Sequence, residues 1–280
     1  MSRVCRFALM RSIPIDRTEA TEIAHALADA AREAILPYFR DPGLQAADKG
    51  TDKPESGFDP VTEADRAAEK AMRQILSTRR PDDGVLGEEF GETRSRSGLT
   101  WVLDPIDGTR GFMSGTPTWG VLIALSDADG PVYGVIDQPY IGERFEGGLG
   151  HAAMTGPLGQ RALRTKGDRS LEEAILFTTF PGVGTGQEAQ AFETVARHVK
   201  LTRFGMDCYA YALLAAGQID LVIEAGLEPY DIQAPIAVIE AAGGLVTDWS
   251  GGPAHAGGRV IAAAGAQQHR AAMSLLAPFV

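Results

Sequence analysis

The chain has 280 residues, 44% of them hydrophobic and 22% charged, which suffices for a substantial core in one large domain or two intimate lobes. With 37 acidic against 26 basic side chains its formal charge is -11, which argues against duplex nucleic acid or an anionic membrane as partner, since Lys and Arg make those contacts. A small anionic substrate remains compatible, because divalent cations reverse the local sign of an acidic pocket. Cys5 and Cys208 stand far apart in unrelated contexts and suggest neither a disulfide framework nor a zinc spacing. Arg11 and Asp16 interrupt the apolar character of the first residues, and no uninterrupted apolar run reaches roughly 18 residues. The expectation is a cytoplasmic protein.

Asp16, with Glu19 behind it, resembles a capping box opening a long helix. Ile23, Leu27, Ala31, Ile35 and Phe39 form its apolar stripe, and Pro42 and Gly43 close it. Residues 43–60 are polar and rich in Gly, Pro, Asp and Lys, and read as a long loop. Its Lys49 and Lys53 are either solvated or turned to a substrate phosphate. Thr62 caps a second helix, with Asp65 near its positive end and Ala68, Ala71 and Ile75 on its inner face. A turn at 81–84 leads into a strand at 85–89 that ends in Glu88 and Glu89, which alternation sends to opposite faces. A polar loop spans 91–99.

Trp101–Leu103 then read as a short strand, followed by Asp104-Pro-Ile-Asp107 and Gly108-Thr109. Pro105 has no N–H to offer and is expected to end the ladder in a rigid turn. Two carboxylates there repel unless a cation sits between them. Carboxylates, carbonyls and a threonine hydroxyl are hard oxygen ligands suited to Mg²⁺ rather than Zn²⁺. Taken alone, the motif is equally well an Asx turn in which each Asp caps its own backbone.

Strands at 118–126 and 132–137, joined by a hairpin turn, and a third at 143–146 argue against Rossmann or TIM topology. The glycines at 147–150 lack the spacing of a nucleotide fingerprint. A lobe boundary is placed near residue 150, giving an N-terminal α+β lobe (1–150) and a C-terminal α/β lobe (151–280). In the second half, 165–170 reads as a polar turn and 174–179 as a strand. A Gly-rich loop (181–186), a helix (188–198) and a strand (201–204) follow. Asp207 is placed as N-cap of a helix at 208–216, and a strand at 218–223 runs into Glu224. The loop 225–230 delivers Asp231 to a helix running to Ala242. Strands at 245–247 and 259–263 and a helix at 267–276 complete the chain. This mixture without strict βαβ periodicity indicates a layered α+β or mixed α/β fold.

Asp65, Glu88, Asp104, Asp107 and Asp231 all sit at element boundaries. Gathered together, five such acids are costly without cations, and paired Mg²⁺ ions are a known device for phosphoryl hydrolysis. The five histidines show no metal-ligand spacing, and His151, His198, His255 and His269 read as surface or packing residues.

Several runs together carry a resemblance to a known family: Asp59–Asp65, Gly87–Glu89, the DPIDGT run Asp104–Thr109, Pro229–Asp231 and Glu240–Gly244. From about residue 18 to the C-terminus the chain resembles the inositol-monophosphatase-like family of Mg²⁺-dependent, lithium-sensitive phosphatases. That resemblance implies a layered αβαβα sandwich of the inositol monophosphatase and fructose-1,6-bisphosphatase type, commonly dimeric. It implies a first metal on Glu88, Asp104 and the Ile106 carbonyl, a second on Asp104, Asp107 and Asp231, and a weaker third near Asp65 and Glu88. Thr109 and Glu88 would orient a metal-activated water, with Asp107 and Asp231 at the leaving side. The N–H groups of Gly108 and Thr109 would receive the phosphate.

Within that family, Arg110 after the DGT, Asp207–Tyr211 and Glu224–Asp231 resemble its histidinol-phosphatase branch. The implied reaction is hydrolysis of L-histidinol phosphate to L-histidinol and phosphate, the alternative being an inositol, sugar or 3′-nucleotide phosphate. Asp207 and Glu224 are the candidates for the substrate amine. Arg110 contacts phosphate or pairs with a neighbouring acid, and Tyr230 and Trp119 wall the pocket or pack in the core. Gly111, where larger residues are commoner, and Glu228, where lysine is frequent, depart from the branch pattern.

Overall fold

The computed structural model describes residues 15–44, 46–48, 60–180 and 182–280. Cys5, Lys49, Lys53 and Asp59, singled out above, lie outside the described residues. Helix α1 (Arg17–Ile35) starts where the Asp16 carboxylate accepts the Glu19 N–H at 2.9 Å. Its buried stripe holds Ile23, Leu27, Ala31 and Ile35. Phe39 is buried too, but beyond the helix: Leu36 still has helical backbone, and Pro37 after it has no N–H to continue the ladder.

The stretch expected as a loop contains β1 (Ala46–Asp48), which pairs antiparallel with β2 (Pro60–Thr62). Helix α2 (Glu63–Arg79) has the full capping box between Thr62 and Asp65. Its buried face is Ala64, Ala68, Met72 and Leu76, so Ala71 and Ile75 are only half-buried flanks of the face they were expected to form. Strand β3 (Gly84–Gly87) stops before Glu88 and Glu89, which lie in the turn to β4 (Gly91–Thr93). Being an exposed edge strand, β4 carries no apolar signal and read as loop.

Strand β5 (Thr100–Asp107) does not end at Pro105. Its register against the next strand shifts between Asp104 and Asp107, and such a bulge frees the proline from any need for an N–H. The short helix α3 (Thr109–Ser114) follows, then β6 (Gly120–Asp127), β7 (Gly130–Gln138), β8 (Glu143–Gly148), β9 (His151–Gly156) and β10 (Gly159–Ala162). The second half supplies β11 (Ile175–Thr178), α4 (Gly186–Ala196), β12 (Leu201–Phe204), α5 (Cys208–Ala215), β13 (Leu221–Leu227), α6 (Pro229–Ala241), β14 (Leu245–Asp248), β15 (Gly258–Ala263) and α7 (Ala266–Leu276).

Two large sheets result. One has eight strands in the order β10-β9-β8-β7-β6-β5-β3-β4, and the other five in the order β12-β11-β13-β15-β14. Strand alternation sorts their side chains into layers. Val121, Ile123, Leu125 and Val135 of the first sheet pack on α1 and α2, whereas Leu122, Ala124 and Ile136 pack toward α5 and α6. Val222, Val260 and Ala262 of the second sheet share that central core, while Leu221, Ile223 and Ile261 face α4 and α7. The architecture is therefore the αβαβα sandwich. Helix α6 lies between the sheets with Ile232–Ile239 buried. It approaches so closely that a Cβ on Gly134 would stand 2.5 Å from the Ala234 carbonyl oxygen. This fit brings the start of α6 to the bulged end of β5.

Candidate metal centre

The bulge in β5 sets Asp104 opposite Leu122 and Asp107 opposite Gly120. Asp231 occupies the first turn of α6, where its Oδ2 accepts the Glu228 N–H at 2.7 Å. One carboxylate oxygen from each of Asp104, Asp107 and Asp231 lies within 4.8 Å of the other two. Burial raises the pKa of Asp104 well above the carboxylate range, and repulsion from Glu88, Asp107 and Asp231 adds to it. Asp231 is raised likewise, by burial and then by Asp107. Asp107 is pushed up to about 7 by burial and the charge of Asp207, although the Cys208 N–H, donating at 2.6 Å to its Oδ2, acts the other way.

This arrangement suits a divalent cation. Asp104 Oδ1 is buried without a hydrogen-bond partner, which is costly in a folded protein unless something else meets it. The donors are hard oxygens throughout, and a cation among them would offset the mutual repulsion. Glu88 adjoins the group through a hydrogen bond to Asp104. Asp65 stands apart from the three-acid group. Its Oδ2 accepts the Thr62 N–H and hydroxyl at 2.9 and 2.5 Å, and burial raises it to about 6.

The family model for the inositol monophosphatase family matches residues 16–278. The chain belongs to the inositol monophosphatase family. It is 42% identical over 239 residues to the chloroplastic bifunctional phosphatase IMPL2 of Arabidopsis thaliana, covering 85% of this chain but 66% of that protein, just under two thirds of its length. A histidinol-phosphatase of Chlorobaculum parvum is 35% identical, covering 84% of this chain and 87% of its own. The structure of an inositol monophosphatase from Zymomonas mobilis superposes with a TM-score of 0.81 at 37% identity, over 93% of this chain and 98% of that one.

In this member of the inositol monophosphatase family the remaining acids crowd the same turn. Gly108 has φ +84, and a Cβ on it would stand 2.6 Å from Cγ of Asp207. A Cβ on Gly111 would stand 3.1 Å from Asp207 Oδ2, so the glycine that departs from the branch pattern makes room for that carboxylate. Asp207 does occupy the position before α5, but its side chain makes no cap. It accepts from Thr118 Oγ1 at 3.2 Å instead, and the N–H of Cys208 goes to Asp107. Burial raises the Asp207 pKa, and Thr118 and the charge of Arg110 pull it back, so Arg110 faces an acid. Thr109 Oγ1 donates to the Ile106 carbonyl at 3.2 Å.

Glu224 is not a loop acid. It lies within β13, 6% exposed, accepting the Thr178 hydroxyl at 3.0 Å and the Thr179 N–H at 2.6 Å. Burial raises it to about 7, with Asp207 contributing. Trp119 is buried against Phe112 and Phe39 and belongs to the core. Tyr230 stays beside the centre, its phenol raised by burial and by the charges of Glu88 and Asp231. Of the histidines, His25 and His151 bracket Glu146 at 2.7 and 3.1 Å, away from these acids.

Two participants escaped the sequence reading. Glu69 is fully buried and accepts the N–H groups of Glu89 and Phe90 at 2.7 and 3.2 Å, so it shapes the turn that carries Glu88. Its signal was an acid one helical turn after Asp65, on the buried face of α2. Tyr211 has a buried hydroxyl without a partner, in the field of Glu224, Asp107 and Asp231. In sequence it closes the Asp207–Tyr211 run, with no role of its own assigned to it.

Proposed function

We propose that the protein is a Mg²⁺-dependent hydrolase of small phosphomonoesters, and the convergence of Asp104, Asp107 and Asp231 is the observation that carries this reading. Asp104, Asp107 and Asp231, with Glu88 and the Ile106 carbonyl, would hold two cations, and Asp65 with Glu88 a weaker third. When bound, Mg²⁺ supplies Lewis-acid stabilisation of charge on phosphoryl and leaving-group oxygens. The chain supplies orientation. Thr109, whose hydroxyl proton goes to the Ile106 carbonyl, has lone pairs left to accept a proton of the attacking water. Glu88 would help Thr109 orient that water, and the N–H groups of Gly108 and Thr109 would receive the phosphate. Asp107 and Asp231 would lie at the leaving-group side. No covalent enzyme intermediate is required.

For the substrate we propose L-histidinol phosphate, released as L-histidinol and phosphate. Asp207 and Glu224, gathered near the centre, suit a cationic amine, and the likeness to a histidinol-phosphatase supports the same reading. The likeness to an inositol monophosphatase is of the same order, so the comparisons favour the broader reading, a small-molecule phosphatase of this family, over any single substrate. Inositol 1-phosphate is the second reading. A cytoplasmic homodimer without nucleic-acid or membrane partner completes the proposal. No helix among the described residues is long and apolar enough to cross a membrane.

A panel of phosphate esters, assayed for phosphate release with Mg²⁺ and with EDTA, tests both levels. Histidinol phosphate is expected to be hydrolysed faster than inositol 1-phosphate, and only with Mg²⁺. The reverse order would overturn the substrate, and no Mg²⁺-dependent release from any ester would overturn the activity.

A further inference from the structure

Arg40 stands outside the acidic centre and outside any helix, yet it is tightly held. Its φ is +63, a left-handed backbone that a non-glycine residue keeps only where its surroundings impose it. Its Nε and Nη2 both donate to the Gly115 carbonyl, at 3.0 and 2.9 Å, and its Nη1 donates to the Tyr140 hydroxyl at 2.7 Å. The guanidinium lies 4.6 Å from the Tyr140 ring centre and 5.0 Å from that of Phe39. Phe39 in turn packs on Phe112 of α3, with ring centres 5.4 Å apart.

Gly115 is where α3 ends. That helix has six residues between two left-handed glycines, Gly108 and Gly115. A segment so short does not hold its own shape in water, so its position depends on outside contacts. Phe112 anchors its middle in the core. At its C-terminal end a two-pronged cationic donor meets a terminal carbonyl, the pairing that the helix dipole favours. At its other end Thr109 and Gly108 border Asp107.

We infer that Arg40 is a positioning residue: by clamping the Gly115 carbonyl it fixes α3, and through α3 the Gly108–Thr109 turn beside the acidic centre. The catalytic consequence rests on the proposed phosphatase reading, whereas the structural consequence does not. Arg40 contacts none of the candidate ligands, so its effect would pass through the helix.

The test uses the full chain with Arg40→Met, which keeps the apolar stem and removes the donors, and Arg40→Lys, which keeps the charge. In Arg40→Met, amide exchange at Phe112, Gly115 and Thr116 is expected to quicken while amides of β13 and β15 keep their wild-type rates. Those three amides bond to Gly108, Phe112 and Gly111 and report on α3 itself. On the best substrate of the panel, kcat is expected to fall about 3- to 10-fold, a modest loss because the hydrogen bonds removed lie at the exposed surface, with KM changed far less. Arg40→Lys should restore part of both. Unchanged exchange at the three amides overturns the clamp. Exchange quickened throughout the protein overturns it too, since that marks a general stability role. Faster local exchange with unchanged kcat overturns the catalytic link. If wild-type protein hydrolyses no ester, the phosphatase reading fails and the exchange arm still decides the clamp.

Discussion

Replacing Asp107 with Asn removes one charge from the acidic group while keeping the side chain's shape. In metal-free protein the Asp107 carboxyl is held at about 7 against an ordinary 3.8, by burial and by Asp207. A carboxyl raised in this way destabilises the fold progressively as pH rises from its unfolded pKa to its folded one, and the penalty is absent at lower pH. Roughly three pKa units at about 1.4 kcal/mol each set an upper bound of about 4 kcal/mol above pH 7. That bound already includes the Cys208 N–H bond, which favours the ionised form, and the neighbouring acids share the titration, so the effect realised is smaller. The expected net effect in EDTA is a variant more stable than wild type by about 1–3 kcal/mol at pH 8 and equal to it at pH 4. Mg²⁺ should reverse the order, since a ligand bound only by the folded state raises its stability, and the variant lacks one of the proposed metal ligands. Turnover should drop by about 100-fold or more. Scanning calorimetry at both pH values, with EDTA and with Mg²⁺, reads the stability terms, and phosphate release reads turnover. A variant less stable than wild type in EDTA at pH 8, or one with an undiminished Mg²⁺ shift, would refute the electrostatic reasoning. Undiminished turnover would refute the catalytic role.

Gly108→Ala places a Cβ on a left-handed backbone and 2.6 Å from Cγ of Asp207. The backbone term alone costs about 1–2 kcal/mol, so displacement of the turn should cut kcat/KM by about 10-fold or more, and steady-state rates within ~2-fold of wild type would contradict it. Glu146→Gln tests a site far from the acids. Burial by itself raises Glu146, but hydrogen bonds from His25, Tyr133 and His151 bring it down to about 2 from an ordinary 4.5. That stabilisation, at most about 3 kcal/mol, is complete above pH 4.5 and lost as pH falls toward 2. Urea unfolding should show the variant weaker at pH 6 and the gap closing at pH 3, and a gap that does not narrow would be the contrary result.

The elements with strong periodicity were legible. Helix α1, the Thr62 cap of α2 and the β6–β7 hairpin follow from apolar spacing and turn chemistry, although α1 stops at Ile35, one step of its stripe short of Phe39. Legibility failed where neighbours decide the backbone. Strands β4 and β10 are exposed and owe their form to pairing, so no apolar alternation marked them. Helix α3 is too short to register in sequence, and Pro105 continues a strand because a bulge excuses it. Glu224 looked like the start of a loop, yet β13 carries on to Leu227.

The order of residues by itself determined which acids sit at element ends, because prolines, glycines and capping residues act over a few positions of chain. It thereby marked Asp104, Asp107 and Asp231 and their hard-oxygen chemistry. Only the tertiary structure decided that the three converge, and that Asp107 takes the N–H of Cys208, 101 positions away, while Asp65 remains on its own helix. The physical reason is that α6 reaches β5 through close packing against glycine-lined strands, and that approach depends on the summed shapes of two sheets.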